Sequence, residues 1–257
     1  MNRLAEQAIA SLTMFTKIPF WRIFPNLSSE SYRNVVTWWP FCGWITGLIC
    51  GGIYVLLCQM LPPLPSAILA VGCRMMATGG YHEDGLADFF DGFGGGRDRE
   101  KILSIMKDSH VGTYGVISLI VMFCLIVSLL SSLPVEGGVC MILGADPWGK
   151  FCSGRMLSFL EYARRNVSKN AVSYNRPGVM DTVLAFVLGV MPMVVMSVVF
   201  MELSYIFLFA SLGAFAVSFL LMLYLKKKIG GYTGDCCGAV YIMTELVFCI
   251  IFVAMYI

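Results

Sequence analysis

The sequence predicts an all-α, polytopic membrane helix bundle of about seven transmembrane helices, and three observations carry that prediction. Of 257 residues 58% are hydrophobic and 13% charged, against roughly 25% charged in soluble domains, and mean hydropathy is +0.78. Charge-poor apolar runs near the length that spans a bilayer recur along the chain. Lysine and arginine gather in alternate loops, the asymmetry of membrane insertion. Lipid is therefore the solvent for most of the chain. A secreted disulfide scaffold, a disordered chain, a large soluble domain and a nucleic-acid binder driven by charge are excluded. The net charge of +2 adds little, so charge placement has to carry the argument.

The elements follow in chain order within one integral membrane domain, 1–257. Residues 1–34 lack a signal peptide's basic start, unbroken apolar stretch and cleavage site, so the segment is expected to be retained. Leu4, Ala8, Ile9, Leu12, Phe15 and Ile18 recur at helical spacing, which predicts an interfacial amphipathic helix. Spanning helices are then expected at about Val35–Leu61, Leu64–Gly80 with Arg74 near its end, Val111–Val135, Gly138–Tyr162, Thr182–Met201, Leu203–Leu225 and Cys236–Ile257 with Glu245 inside.

Starting from a cytoplasmic N-terminus, this count puts four basic groups on one side. They are Arg3, Lys17, Arg22 and Arg33; then Arg97, Arg99, Lys101 and Lys107; then Arg164, Arg165, Lys169 and Arg176; then Lys226, Lys227 and Lys228. The opposite loops near Pro62, Glu136 and Glu202 contain neither lysine nor arginine. Most of the ten cysteines, Cys42, Cys50, Cys58, Cys124 and Cys249 among them, lie in apolar runs. There they read as small hydrophobes, and the adjacent Cys236 and Cys237 suit neither a zinc site nor an easy disulfide.

The densest polar segment, Gly79–Gly115, holds seven of the sixteen acidic residues and both histidines. On a helix Asp84, Asp88 and Asp91 share one face. Three carboxylates so close repel one another unless a cation neutralises them, and oxygen donors point to Mg²⁺ or Mn²⁺. His82 is placed to ligate, orient substrate or move a proton. Phe89, Phe90 and Phe93 interleave the acids with membrane-compatible rings, which argues for a site at the cytoplasmic edge of the bilayer over a solvated acidic loop. A second polar patch, Ile229–Ala239, offers backbone N–H groups and the Thr233 hydroxyl as an anion cradle, with Asp235 as the N-cap of the last helix. A third set, Asp146, Lys150 and Arg155, supplies basic groups for a phosphate, although snorkelling to the surface is the simpler reading of Arg155. Metal-holding carboxylates, phosphate-binding cations and a membrane-edge location together point to phosphoryl transfer.

At these residues the chain resembles the cobalamin-5′-phosphate synthase, or adenosylcobinamide-GDP ribazoletransferase, family. SLTMFTKIP at 11–19, GGYHEDGLADFFDG at 79–92, IMKDSHVGTYG at 105–115 and GGYTGDCCGA at 230–239 match that family's blocks in order. The resemblance implies a Mg²⁺-dependent membrane transferase, with Mn²⁺ as the alternative ion, that joins adenosylcobinamide-GDP to α-ribazole or its 5′-phosphate and releases GMP. Asp91, His82 and Asp88 are then the expected catalytic residues and Asp84, Asp88 and Asp91 the expected metal ligands, Asp91 holding metal or acting as base. Lys107, Asp108, Lys150, Thr233, Gly234 and Asp235 are expected to bind substrate.

The sequence departs from the family at three places. His110 stands where arginine is common, Ile242 where the first of two glutamates is common, and Gly149-Lys150 where a Ser-Arg pair is common, which leaves Arg155 as a rival to Lys150. The implied setting is a bacterial inner (plasma) membrane with the active site toward the cytoplasm. Expected partners are the two small substrates and the lipid bilayer, with no nucleic acid; a homo-oligomer or a complex with other late B12-pathway enzymes is left open. A CDP-alcohol phosphotransferase is the enzymatic alternative, but its Asp-Gly-x-x-Ala-Arg run is not met. A cation transporter is the alternative of another class, but its acids belong near the midplane at a repeat interface, and no internal repeat is visible.

Overall fold

A computed structural model gives the structure of the protein and describes residues 2–164 and 174–257. Arg165 and Lys169 of the third basic group lie outside the described residues. The fold is all-α: α1 (Arg3–Phe15), α2 (Phe20–Ile23), α3 (Ser29–Arg33), α4 (Trp39–Cys58), α5 (Pro63–Thr78), α6 (Tyr81–Gly95), α7 (Arg99–Ile105), α8 (Thr113–Ser131), α9 (Val135–Gly154), α10 (Met156–Phe159), α11 (Val179–Val199), α12 (Ser204–Ile229) and α13 (Gly234–Tyr256). Among the described residues the one β-type pairing is a bridge between Tyr162 and Tyr232.

Among the described residues five segments are long and apolar enough to cross a membrane: Val35–Cys58, Thr113–Ser131, Val179–Val199, Met201–Ile229 and Gly234–Tyr256. Two further helices of the expected set, α5 and α9, pack among them but fall outside this group. The first has 16 residues and includes Arg74, and the second carries Glu136, Asp146 and Lys150.

Helix α9 is the axis of the bundle, packed against α4, α13 and α11, and it is buried without a gap from Gly144 to Gly154. A Cβ placed on Gly43 of α4 would sit 2.7 Å from the Cα of Pro147, so the two backbones are in direct contact. Small residues allow that approach in lipid, where packing replaces the hydrophobic effect. All ten cysteines are free thiols.

The N-terminal helix differs from the expected apolar stripe. Its inward face is Gln7, Ala10, Ser11, Leu12 and Phe15, while Leu4 is 52% exposed. Two backbone and ring groups of the next segment account for the polar members. Ser11 Oγ donates to the Val35 carbonyl at 2.9 Å and Trp38 Nε1 donates to Gln7 Oε1 at 3.3 Å, satisfying groups that burial would otherwise orphan.

The α5–α6 junction sets the direction of the acidic helix. Gly79 and Gly80 both have φ near +70° (71° and 70°), a left-handed pair that side chains disfavour and that ends α5. The Lys17 amide donates to the Ala77 carbonyl at 2.7 Å, and its methylenes fill the space a Cβ on Gly79 would need. The N-terminal segment thereby straps the break.

Candidate active site

The structure brings together the acidic helix and the glycine-rich start of the last helix. Helix α6 packs along α13, and Gly85 is what permits the contact: a Cβ there would meet the Asp235 carbonyl oxygen at 2.8 Å. On the facing side a Cβ on Gly238 would lie 3.1 Å from the His82 carbonyl oxygen. Asp84, Asp88 and Asp235 consequently form one acidic cluster from two segments distant in sequence. Asp84 is exposed and Asp88 half-buried. Partial burial, then the negative charges of Asp235 and Asp84, push the Asp88 carboxyl up to about 7, with Arg164 acting the other way.

Arg164 Nη2 donates to Asp235 Oδ2 at 2.9 Å and to the Met106 carbonyl at 3.2 Å. It therefore ties the end of α7 to the start of α13 and supplies a half-buried positive charge beside the acids. In the sequence Arg164 counts only toward orientation. Its signal was a basic residue in a loop bound for the acidic side, which spacing alone cannot assign. Arg99 adds a second tie: its guanidinium donates to the Ile229 and Ala163 carbonyls at 2.9 and 2.5 Å.

Thr233, not Asp235, is the N-cap of α13. Its backbone is extended (φ −122°, ψ 172°) and its Oγ1 accepts from the Cys236 amide, the geometry that satisfies an orphan N–H. Asp235 follows in the first turn, free to face Arg164, with Thr233 Oγ1 also donating to its Oδ2 at 3.2 Å. Gly234 comes within 4 Å of the Tyr81 hydroxyl at the Cβ position.

Three expected site residues are engaged in contacts of their own. Asp91 lies on the same helix but is 8% exposed, and both of its oxygens are engaged: Oδ2 accepts from the Gly112 amide at 2.6 Å and Oδ1 from the Gly115 amide at 2.9 Å. It caps the N-terminus of α8, where a negative charge also suits the helix dipole. His82 is 1% exposed and is packed by the rings of Tyr241, Trp39 and Phe15, with centroids at 4.8, 5.6 and 6.4 Å. Burial first, then the Lys150 and Arg74 charges, hold its imidazole neutral. Lys150 is buried and its Nζ donates to Asp146, one turn away on the same helix, and to Thr46 Oγ1 at 3.2 Å and Tyr241 OH at 3.3 Å.

That lysine belongs to a polar network enclosed by the bundle. Arg74 donates through both terminal nitrogens to the Glu245 carboxylate, the Nη2–Oε2 distance being 3.1 Å. Arg74 Nη1 also lies 3.7 Å from Asp146 Oδ2. Thr46 Oγ1 donates to Asp146 Oδ2 at 2.6 Å and Tyr241 OH to Asp146 Oδ1 at 3.0 Å. Two cations and two anions from α5, α9 and α13 thus balance to zero, with Thr46 of α4 completing the set. Lys107 and Asp108 lie exposed past α7; Asp108 Oδ1 pairs with His110 Nδ1 at 2.6 Å, so the histidine at the arginine position faces its own loop.

Among the described residues no group of three His, Cys, Asp or Glu side chains converges to enclose a metal ion. The Asp84–Asp88–Asp235 cluster is a hard, all-oxygen set that suits Mg²⁺ in its commoner mode, in which one or two carboxylates share the ion with substrate phosphates and water.

Residues 7–253 match the family model described as cobalamin-5-phosphate synthase. A protein of Shewanella amazonensis named adenosylcobinamide-GDP ribazoletransferase is 33% identical over 254 residues, covering 96% of this chain and 94% of its own. Proteins with the same name from Clostridium tetani and Clostridium botulinum (strain Okra / Type B1) are 31% and 32% identical, covering 95% and 98% of this chain and 94% and 98% of theirs. No solved structure matches.

Proposed function

The chain belongs to the cobalamin-5-phosphate synthase family, and from that premise we propose that it joins adenosylcobinamide-GDP to α-ribazole or its 5′-phosphate at the Asp84–Asp88–Asp235 cluster. It is a transferase of that family, held in a membrane by apolar helices. The products are adenosylcobalamin, or its 5′-phosphate, and GMP. The ribazole ribose hydroxyl attacks the phosphorus that stays with cobinamide, and the bond to the GMP oxygen breaks.

The observation that supports this reading is the convergence of α6 and α13, which gathers three carboxylates and Arg164 at one end of the bundle. Mg²⁺, when bound with the substrate diphosphate by Asp84 and Asp88, supplies neutralisation of charge on the phosphate oxygens. Arg164 holds the Asp235 carboxylate in place through its 2.9 Å contact. A carboxylate of the cluster takes the hydroxyl proton. Asp91 acts by positioning: it fixes the start of α8 against α6. His82 wedges α6 against α13 as a neutral, ring-packed side chain.

The proposed topology is seven passes, α5 and α9 completing the five apolar segments. Their charges do not argue against it, because Arg74, Asp146 and Lys150 are satisfied by one another and by Glu245 inside the bundle and so do not meet lipid. The lysine- and arginine-rich end, with the acidic cluster, is then cytoplasmic in a bacterial inner membrane.

The test is GMP release and corrinoid product formation by purified protein in liposomes given both substrates, with Mg²⁺, with Mn²⁺ or with chelator. The expected result is activity that needs the divalent ion and is lost in Asp88→Asn. Full activity of Asp88→Asn or of chelated protein would refute the site; no activity in folded wild type would refute the reaction.

A further inference from the structure

On the side of α9 away from the acidic cluster, a cavity of about 230 Å³ opens between α9–α10, α11 and α12. Its walls are apolar, with Phe159, Phe215, Phe219 and Met222 prominent, yet Arg155 and Thr182 also line it. Arg155 is 8% exposed. Its Nη1 donates to Thr182 Oγ1 at 2.5 Å and its guanidinium lies 5.3 Å from the centroid of the Phe151 ring. These contacts fix the fork, but Nε and Nη2 are buried with no hydrogen-bond partner among the described residues. Asp181, the acid nearest in sequence to Thr182, is engaged by the Gly178 amide at 3.0 Å.

A buried guanidinium with two idle donor nitrogens in an apolar chamber is costly unless an anion completes it. The chamber does not stand alone. A second cavity, of about 480 Å³, runs between the same three long helices toward the opposite end of the bundle, lined by Trp148, Phe186, Met193 and Phe207. The packed rings of Trp148, Phe151 and Phe186 lie between the two, with centroids 5.1–6.0 Å apart. At the other end, the spacing Phe215, Phe219, Met222, Lys226 puts an exposed lysine on the cavity-facing side of α12, one turn beyond Met222. Charge at one end, a buried fork below it and a second apolar cavity beyond the packed rings make an amphiphile's profile.

We propose that this face binds an anionic phospholipid, its phosphate on Arg155 Nε and Nη2 and one acyl chain passing over the packed rings to the second cavity beside Trp148. Planar guanidinium nitrogens suit two phosphate oxygens at once, and Lys226 favours a net negative headgroup over a zwitterion.

The test is native mass spectrometry of the purified full chain in micelles doped with phosphatidylglycerol or phosphatidylcholine of the same acyl chains. Wild type should retain phosphatidylglycerol over phosphatidylcholine by about tenfold, the effect of one charge-assisted contact; Lys226→Gln should lose that preference, and Arg155→Gln should lower retention of both lipids. Equal retention by wild type, an unchanged preference in Lys226→Gln, or undiminished lipid retention in Arg155→Gln overturns the proposal. Displacement of the lipid by inorganic phosphate alone would make this a free-anion site and overturn the lipid assignment. A second measurement does not depend on the folding of the arginine variant. Chain-brominated phosphatidylglycerol should quench Trp148 fluorescence, read as the difference between wild type and Trp148→Phe, more than brominated phosphatidylcholine does; equal quenching by the two lipids counts against it.

Discussion

Removing Glu245 should destabilise the bundle strongly, because it leaves an enclosed guanidinium short of its main partner. Arg74 and Glu245 are 5% and 2% exposed and meet through two N–H···O contacts. Asp146 cannot replace the lost carboxylate, since Lys150, Thr46 and Tyr241 already engage it and Arg74 reaches it only at 3.7 Å. With two cations and one anion left, the network carries an uncompensated charge, for which the expected cost is about 3–5 kcal/mol. In a chain of this size that corresponds to a fall in Tm of roughly 6–20 °C. The assay is thermal unfolding in detergent micelles followed by circular dichroism for Glu245→Ala, Arg74→Met and the double variant Arg74→Met with Glu245→Met. The double variant should lie within about 1 kcal/mol of wild type, because replacing both partners removes the desolvated charge as well as the bond. A single-variant loss below about 1 kcal/mol would mean that water reaches the pair. A double variant as unstable as Glu245→Ala would mean that side-chain packing, not charge balance, sets the cost.

Other outcomes follow from the same geometry. Asp91→Ala should cost about 1–3 kcal/mol through two orphaned amides at the start of α8, measurable by the same melts, while Asp88→Asn should leave the melt within about 0.5 kcal/mol and abolish GMP release. Gly85→Ala forces a methyl to 2.8 Å from the Asp235 carbonyl oxygen, so α6 must move off α13; a loss of about 1–3 kcal/mol with activity falling faster than stability is expected from paired melts and turnover assays. The Asp108–His110 pair fixes a pH signature. Its contact with Asp108 raises the His110 imidazole above 6.5, and the same contact lowers the Asp108 carboxyl. The pair's contribution is therefore lost as pH rises through the raised histidine value and as it falls through the lowered aspartate value. An NMR titration should place the His110 midpoint above 6.5 and return it toward that value in Asp108→Asn.

Apolar length made the spanning helices legible, and the spacing of Asp84, Asp88 and Asp91 placed all three on one face of α6. The three acids differ in fate for reasons local spacing does not contain. Asp91 is spent on amides 21 and 24 residues away, and its place beside Asp88 depends on how α8 docks. Residue type alone points to Lys150 as a phosphate ligand, although Asp146 stands one turn before it on the same helix. The sequence contained that pairing, and what it lacked was the depth at which α9 sits. Arg74 and Glu245 lie 171 residues apart. Their partnership was foreshadowed only by charge inside apolar runs, which announces a partner without naming it. The α6–α13 contact was legible in outline from two glycine-bearing polar patches on one predicted side, but the glycine that makes it, Gly85, looked no different from its neighbours.

The strap across the α5–α6 break bears on the order in which the chain is made. Lys17 leaves the ribosome long before Ala77 and Gly79, so the group that closes the break is already waiting when the break is synthesised. Residues up to Gly80 can settle around α1 and α4 before the acidic helix emerges, in keeping with folding that proceeds from the N-terminus during synthesis. The direction in which α6 sets out is then inherited from the earliest part of the chain, and the carboxylates arrive on a surface whose orientation has been decided before their future partner on α13 exists.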